Sequence, residues 1–369
     1  MYARWFSSLA GCLPFLSAFV LGFLISLFVF GPSDRKTDRQ HTVGGAMVSS
    51  LKQTGAKVFG SAGFDDDDAS DVAMMTRNGS RMSIDQKQLA IKDQISEFQR
   101  LERELVLQLR REVRILCWIM TAEKRKDRHE PIVQTWGKRC GLLLFIVAGG
   151  QGSVNMSRNA MLVHLAMPES YQHLWQKTRL AFDYVYQNYR QQFDWVLKID
   201  DDSFVIMENL QMFLRKRSFS EPYFYGAPYK AHGGYNSGGP GYVISMQNLA
   251  KLIQAFNGPG DKCSKSPTGY EDIEVARCLR SVGIKIADTR DDKGRFRWSP
   301  FKPTHTINKK TLPSMYNWFW GFTAYELKEG FECCAEDFIS FHYVKPDEMR
   351  VMEFLIYYVH PFSAREVWE

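Results

Sequence analysis

The sequence predicts an α/β domain built on a mostly parallel sheet, a class that binds its ligands at the carboxyl ends of the strands. Three runs carry this reading. Val113–Met120, Leu142–Ala148 and Phe193–Ile199 are near-continuous in apolar residues, as strands buried on both faces must be. Between them the spacing turns helical, most clearly over residues 170–189, where Leu174, Thr178, Ala181, Phe182, Val185 and Tyr189 share one face. The bulk composition agrees. Of 369 residues, 45% are apolar and 24% charged, enough to bury a large core without leaving a globally disordered chain. No internal period points to a repeat architecture. A net charge of +6 with no clustered basic tract argues against a nucleic-acid partner.

At the amino terminus, Leu9 to Phe30 is an uncharged apolar run long enough to cross a bilayer as one helix, and longer than the apolar stretch of a cleavable signal. Residues 1–8 then form a short tail and 9–30 a signal-anchor. Flanking charge does not settle orientation, since Arg4 precedes the run and Asp34, Arg35, Lys36, Asp38 and Arg39 follow it. A single amino-terminal span usually exports the large part, and cysteine usage agrees. Beyond Cys12 in the span stand Cys117, Cys140, Cys263, Cys278, Cys333 and Cys334, an even set that suits an oxidising lumen and a type II arrangement. Many pairings are open to six cysteines. The expectation is Cys117–Cys140, Cys263–Cys278 and Cys333–Cys334, with free buried thiols as the alternative. Sequons at Asn78 and Asn155 fit a secretory route.

Residues 31–82 are rich in Gly, Ser, Thr, Asp and Lys and read as a flexible stem, with the tetra-aspartate Asp65–Asp68 a solvated stretch. Over 83–112, Ile84, Ile91, Ile95, Phe98, Leu105 and Leu109 make a narrow apolar seam among charged residues. This amphipathic helix either pairs with a second copy, giving a homodimer, or packs on its own domain. Residues 113–369 form the main body. Within it Pro131–Lys138 and Ile273–Val282 are helix candidates, Tyr242–Ser245 is a strand, and Pro346 with the acids after it opens a helix.

The chemistry concentrates where the third strand ends, at Asp200, Asp201 and Asp202. Three carboxylates crowded at the end of a buried strand repel one another and lose solvation, and a divalent cation relieves both. With extended backbone, Asp200 and Asp202 point to the same side. A surface acidic loop or a helix N-cap is the bland alternative. No G-x-G-x-x-G or G-x-x-x-x-G-K-[ST] is present, so dinucleotide and P-loop readings lack their phosphate cradle. His342, within Ser340-Phe-His-Tyr-Val344, reads on its own as a core histidine. Glu271-Asp272 suit a helix amino terminus through its dipole, or a general base. Gly238, Gly239 and Gly241 around Pro240, followed by Tyr242, let backbone approach a sugar closely. The aromatic segment Met315–Trp320 is either core or a sugar-stacking surface, with Trp318 as the candidate contact. Lys177 is either solvated or a phosphate partner.

Several blocks together resemble the inverting β1,3-glycosyltransferases, and most closely their core 1 β1,3-galactosyltransferase branch. They are Val113–Trp118, Thr135-Trp136 with Cys140, Trp175–Thr178, Trp195–Asp202, Ser237–Tyr242, Glu271-Asp272 with Cys278, Cys333-Cys334 and Ser340–Val344, collinear over residues 113–360. The resemblance implies a GT-A fold, a Rossmann-like mixed sheet flanked by helices. It implies UDP-galactose as donor and the 3-hydroxyl of GalNAc on Ser or Thr of a glycoprotein as acceptor. It also implies Mn²⁺, or Mg²⁺, held by Asp200, Asp202 and His342. Asp201 and Lys177 then serve the donor, and Asp272 is the base. Gly239, Tyr242, Glu271 and Trp318 face the acceptor. Golgi membrane residence and a lumenal chaperone as partner are further expectations from the same likeness. Two other readings stay open: a catalytically silent lumenal chaperone on this fold, and another donor–acceptor pair. The branch's chaperone-like relative lacks the Asp triplet, which this chain keeps. Ile199 and Ser203-Phe204 depart from the usual residues around the acids, which bears on acceptor preference more than on metal binding.

Overall fold

The apolar runs become strands because each can bury both faces of a central sheet. The computed structural model describes residues 84–260 and 262–359; the expected tail, span and stem, Asn78, and residues 360–369 lie outside the described residues. In chain order the elements are α1 (Ile84–Glu112), β1 (Ile115–Met120), α2 (His129–Gln134), β2 (Leu142–Ala148), β3 (Gly152–Ser157), β4 (Ala160–Leu165), α3 (Leu174–Tyr189), β5 (Trp195–Asp200), β6 (Ser203–Val205) and α4 (Met207–Arg215). There follow β7 (Tyr223–Gly226), β8 (Pro228–Tyr229), β9 (Tyr235–Asn236), β10 (Tyr242–Ser245), α5 (Met246–Asn257), α6 (Glu271–Ser281), β11 (Lys285–Ile286), β12 (Trp298–Ser299), α7 (Pro303–Ile307), α8 (Trp318–Phe322), β13 (Ser340–His342) and α9 (Pro346–Tyr357).

An eight-stranded sheet runs β11-β7-β10-β5-β1-β2-β4-β3. Its centre is parallel: β1 pairs with β2 and β5, and β2 with β4. The sheet is nonetheless mixed: β11 also pairs parallel to β7, but β10 runs antiparallel between β5 and β7, and β3 antiparallel to β4. Alternate residues of β1 feed two cores. Leu116, Trp118 and Met120 pack under α3, α5 and α6, while Ile115, Cys117 and Ile119 pack under α2 and α4. β3 is exposed throughout and carries Asn155 on the sheet edge. A second sheet, β12-β13-β6, places β13 antiparallel to β6, and β6 begins just after the Asp triplet.

The carboxyl-terminal end of α1 packs on its own domain. Leu109 is buried, Glu112 takes Arg215 at 2.9 Å and Arg110 reaches Glu208 at 3.4 Å. The three disulfides Cys117–Cys140, Cys263–Cys278 and Cys333–Cys334 form, in the expected pairing. Helix α9 is held from behind by a buried ion pair. Arg139 donates to both oxygens of Glu353 at 2.8 Å, and Lys138 reaches the same carboxylate at 2.7 Å. Removing Glu353 takes away the two-pronged partner of the buried Arg139 and leaves it only the longer contact to Glu208 at 3.3 Å. We therefore expect Glu353→Ala to destabilise the protein by about 3 kcal/mol or more in urea unfolding, where a loss below about 0.5 kcal/mol would show that the pair is not what fastens α9.

Candidate active site

Each acid of the triplet meets a different set of partners, and the strand geometry decides which. Period-two alternation puts Lys198 and Asp200 on the same side of β5, and Lys198 Nζ donates to Asp200 at 2.8 Å. After Asp200 the chain turns, so Asp201 points back beneath the sheet end and is fully buried. β1 lies beside β5 with Met120 opposite Asp200, which brings Thr121 next to Asp201. The Thr121 hydroxyl donates to Asp201 at 2.7 Å, and Arg125 and Arg128 donate at 3.0 and 2.6 Å. Asp201 is thus enclosed, and it anchors two arginines that remain partly exposed. Behind it, Thr121 also contacts His129 at 3.0 Å, and burial pushes that imidazole below its usual range.

His342 arrives from far along the chain. Pairing of β13 with β6 sets it opposite Ser203, one residue past Asp202, and Val344 N donates to Asp202 O at 2.8 Å. Its Nε2 lies 3.1 Å from Asp202 and 3.9 Å from Asp200. Ligand atoms of Asp200, Asp202 and His342 all fall within 4.8 Å of one another, the one such group among the described residues. Two carboxylate oxygens and an imidazole nitrogen at this spacing fit a divalent metal ion. Gly239 makes the convergence possible, since a Cβ there would sit 2.1–2.6 Å from three atoms of the His342 ring. Burial alone would raise the Asp202 carboxyl, but His342 and Arg128 outweigh it and hold it down at about 2.

Next to this group lies a second cluster. Lys198 Nζ also reaches Glu271 at 3.2 Å and donates to Gly238 O at 3.1 Å. Tyr242, opposite Lys198 across β10–β5, donates its hydroxyl to the other oxygen of Glu271 at 2.8 Å. Both oxygens of Glu271 are thereby occupied, and both it and Tyr242 are buried. Asp272, in the first turn of α6, accepts from Gly238 N at 3.1 Å and from Ile273 N at 2.9 Å. Burial pushes Asp272 above the usual carboxylate range and carries Glu271 up to about 7, with Lys198 offsetting only part of it.

The other sequence-derived candidates scatter. Lys177 is buried, and its ammonium is spent on Thr121 O at 2.5 Å and Glu169 at 2.8 Å, so it props the end of β1 and does not face a cleft. Trp318 is 43% exposed and meets Tyr229 edge-on at 5.9 Å. Tyr229 is itself buried, and its hydroxyl titrates well above the usual tyrosine value because of that burial, with Ser237 and Asp272 among its neighbours. Reasoning from residue types missed Lys198, Arg125, Arg128 and Tyr343. A single lysine inside the apolar run before Asp200 was a readable signal for the first, and the basic cluster Glu123–Arg128 at the end of β1 for the arginines.

Residues 113–291 match the Fringe-like family. Glycoprotein-N-acetylgalactosamine 3-beta-galactosyltransferase 1 of Xenopus laevis is 32% identical over 263 residues, covering 70% of this chain and 71% of that protein. Chondroitin sulfate synthase 3 of Homo sapiens is 25% identical over 119 residues, 29% of this chain and 13% of that protein. The crystal structure of the glycosyltransferase GlyE in Streptococcus pneumoniae TIGR4 overlaps at 13% identity and a TM-score of 0.34, over 69% of this chain and 59% of that one, too loose a likeness to define the fold. With its mixed sheet and acid cluster, the protein is a glycosyltransferase. More narrowly, it belongs to the core 1 β1,3-galactosyltransferase branch of the Fringe-like β1,3-glycosyltransferases.

Glu271 gives a signed pH effect. A carboxyl raised from 4.5 to about 7 on folding stabilises the protein below pH 4.5, and that contribution is lost as pH rises through about 7. In EDTA, the wild type should therefore lose stability between pH 5 and 8 relative to Glu271→Gln, with a difference of order 1–3 kcal/mol across the window. Parallel pH profiles of the two proteins in thermal melts would contradict the assignment.

Proposed function

We propose that this glycosyltransferase moves galactose from UDP-galactose to the 3-hydroxyl of GalNAc on Ser or Thr of a glycoprotein, on a GT-A fold and with inversion at the anomeric carbon. The observation that carries the reading is the convergence of Asp200, Asp202 and His342 beside Glu271-Asp272. The support from outside the site is 32% identity, over most of both chains, to a relative whose name states 3-beta-galactosyl transfer to N-acetylgalactosamine.

An α-linked donor and a β-linked product call for one in-line displacement. The acceptor oxygen bonds to the anomeric carbon as the bond from that carbon to the diphosphate oxygen breaks, and the hydroxyl proton needs a base. Asp272 is that base in our reading. Two backbone N–H groups fix its carboxylate, and burial raises its proton affinity toward the working range. Glu271 supports it and is not a rival, because it is ion-paired to the buried Lys198 and takes the Tyr242 hydroxyl, whereas Asp272 accepts only from backbone N–H groups. A divalent cation, Mn²⁺ or Mg²⁺, held by Asp200, Asp202 and His342 would neutralise charge on the departing diphosphate. Arg125 and Arg128, braced on Asp201, offer guanidinium donors to phosphate oxygens. Gly238 and Gly239 keep the loop over the site thin, and Trp318 offers a partly exposed ring to the acceptor. The same reading places the protein in the Golgi membrane as a single-pass type II protein, with residues 113–369 as the lumenal catalytic domain.

Purified protein with UDP-galactose, Mn²⁺ and a GalNAc-bearing peptide should yield the β1,3-linked product, and EDTA should stop the reaction. Asp202→Ala should lose metal-dependent UDP binding. Asp272→Asn should keep UDP affinity while kcat falls about 10²–10⁴-fold. Wild-type turnover by Asp272→Asn would move the base elsewhere. Failure of folded wild type to transfer from any UDP-hexose would favour the silent binding protein.

A further inference from the structure

Tyr343 follows His342 directly and adopts a left-handed backbone, with φ at 59°. A bulky residue rarely accepts that conformation, whereas glycine takes it freely. Such strain persists where the surroundings over-determine it, and here they do. On one side His342 N donates to Phe301 O at 3.3 Å, and on the other Val344 N donates to Asp202 O at 2.8 Å. If the chain needed only the turn into α9, glycine would serve better, so what the position gains from tyrosine is its ring.

That ring stacks on the His342 imidazole, with centroids 3.9 Å apart and planes 25° apart. Tyr316 backs it at 5.5 Å. A Cβ on Gly239 would lie 2.1, 2.2 and 2.6 Å from Cε1, Nδ1 and Nε2 of His342, which places that backbone over a face of the imidazole. Nothing fits between rings 3.9 Å apart, so Gly239 and Tyr343 occupy opposite faces. Gly239 is itself fixed, since its carbonyl accepts from Ser203 Oγ at 2.7 Å and from Asp200 N at 3.3 Å.

We propose that Tyr343 is a positioning residue that, with the Gly239 backbone, clamps the His342 imidazole so that its Nε2 faces Asp200 and Asp202 in the geometry a divalent cation requires. The inference rests on the metal reading above and adds to it the device that orients the nitrogen ligand. Residues that orient metal-ligating side chains typically set affinity by about 10–100-fold. Here the orienting contact is a ring face and a glycine, where a hydrogen bond to the second ring nitrogen is the usual means.

Calorimetric titration of Mn²⁺ alone into the metal-free protein tests this without turnover. Tyr343→Gly relieves the strained backbone and removes the ring. It should weaken Mn²⁺ binding about 10–100-fold with a melting temperature equal to or above wild type. Tyr343→Leu keeps the strain without an aromatic face and should show the same loss. Tyr343→Phe, which keeps the stack, should bind as wild type does. Wild-type affinity in the Gly or the Leu variant would overturn the clamp alone. No binding by the wild type would overturn the metal site and the clamp with it.

Discussion

Crowding of like charge at the carboxyl end of β5 is the constraint that organises this molecule. Three successive carboxylates at the end of a buried strand cannot share one environment, so the fold gives each a different set of partners. Lys198 sits under Asp200, Arg125 and Arg128 take Asp201, and His342 with Arg128 takes Asp202. The turn after Asp200 sends alternate acids to opposite sides of the sheet end. Asp201 is consumed as a structural anchor, and the flanking pair is left together as a potential ligand set.

The rest of the architecture serves this sorting. The parallel pairing of β1 with β5 delivers Thr121 and the two arginines. The antiparallel β10 delivers Tyr242 and the glycine loop, and the small β12-β13-β6 sheet brings in His342 from well over a hundred residues away. Lys198 joins the two halves of the site, since one ammonium contacts Asp200 on the ligand side and Glu271 on the base side. A buried lysine held by two carboxylates keeps its charge, and its proton affinity rises above the usual lysine value despite complete burial. Glu271 and Asp272, compensated only in part, are pushed toward protonation by the same burial.

Much of this was legible in the chain. Continuous apolar runs gave the central strands because burial on both faces leaves no room for alternation. The acidic triplet gave the site because such crowding is costly without a purpose. What stayed hidden depends on contacts between distant segments. Alternation puts Asp201 on the side opposite its two neighbours, but its partners Thr121, Arg125 and Arg128 come from the segment that follows β1 and cannot be read from β5. Lys177 reads as a phosphate partner because it stands on a helix near the site, yet its stem is buried and its ammonium caps Thr121. The antiparallel insertion of β10 cannot be read from a four-residue strand. Tyr343 leaves no trace in sequence, because a left-handed backbone at a non-glycine residue appears only in three dimensions.

The proposed chemistry requires that the acids of β5 and an imidazole brought in by β13 form a single cation site. Anomalous diffraction from crystals soaked in Mn²⁺ tests it most directly. One strong peak bounded by Asp200, Asp202 and His342 is expected, with Arg128 drawn away from Asp202. A peak elsewhere, or none, with His342 still paired to Asp202, would contradict it.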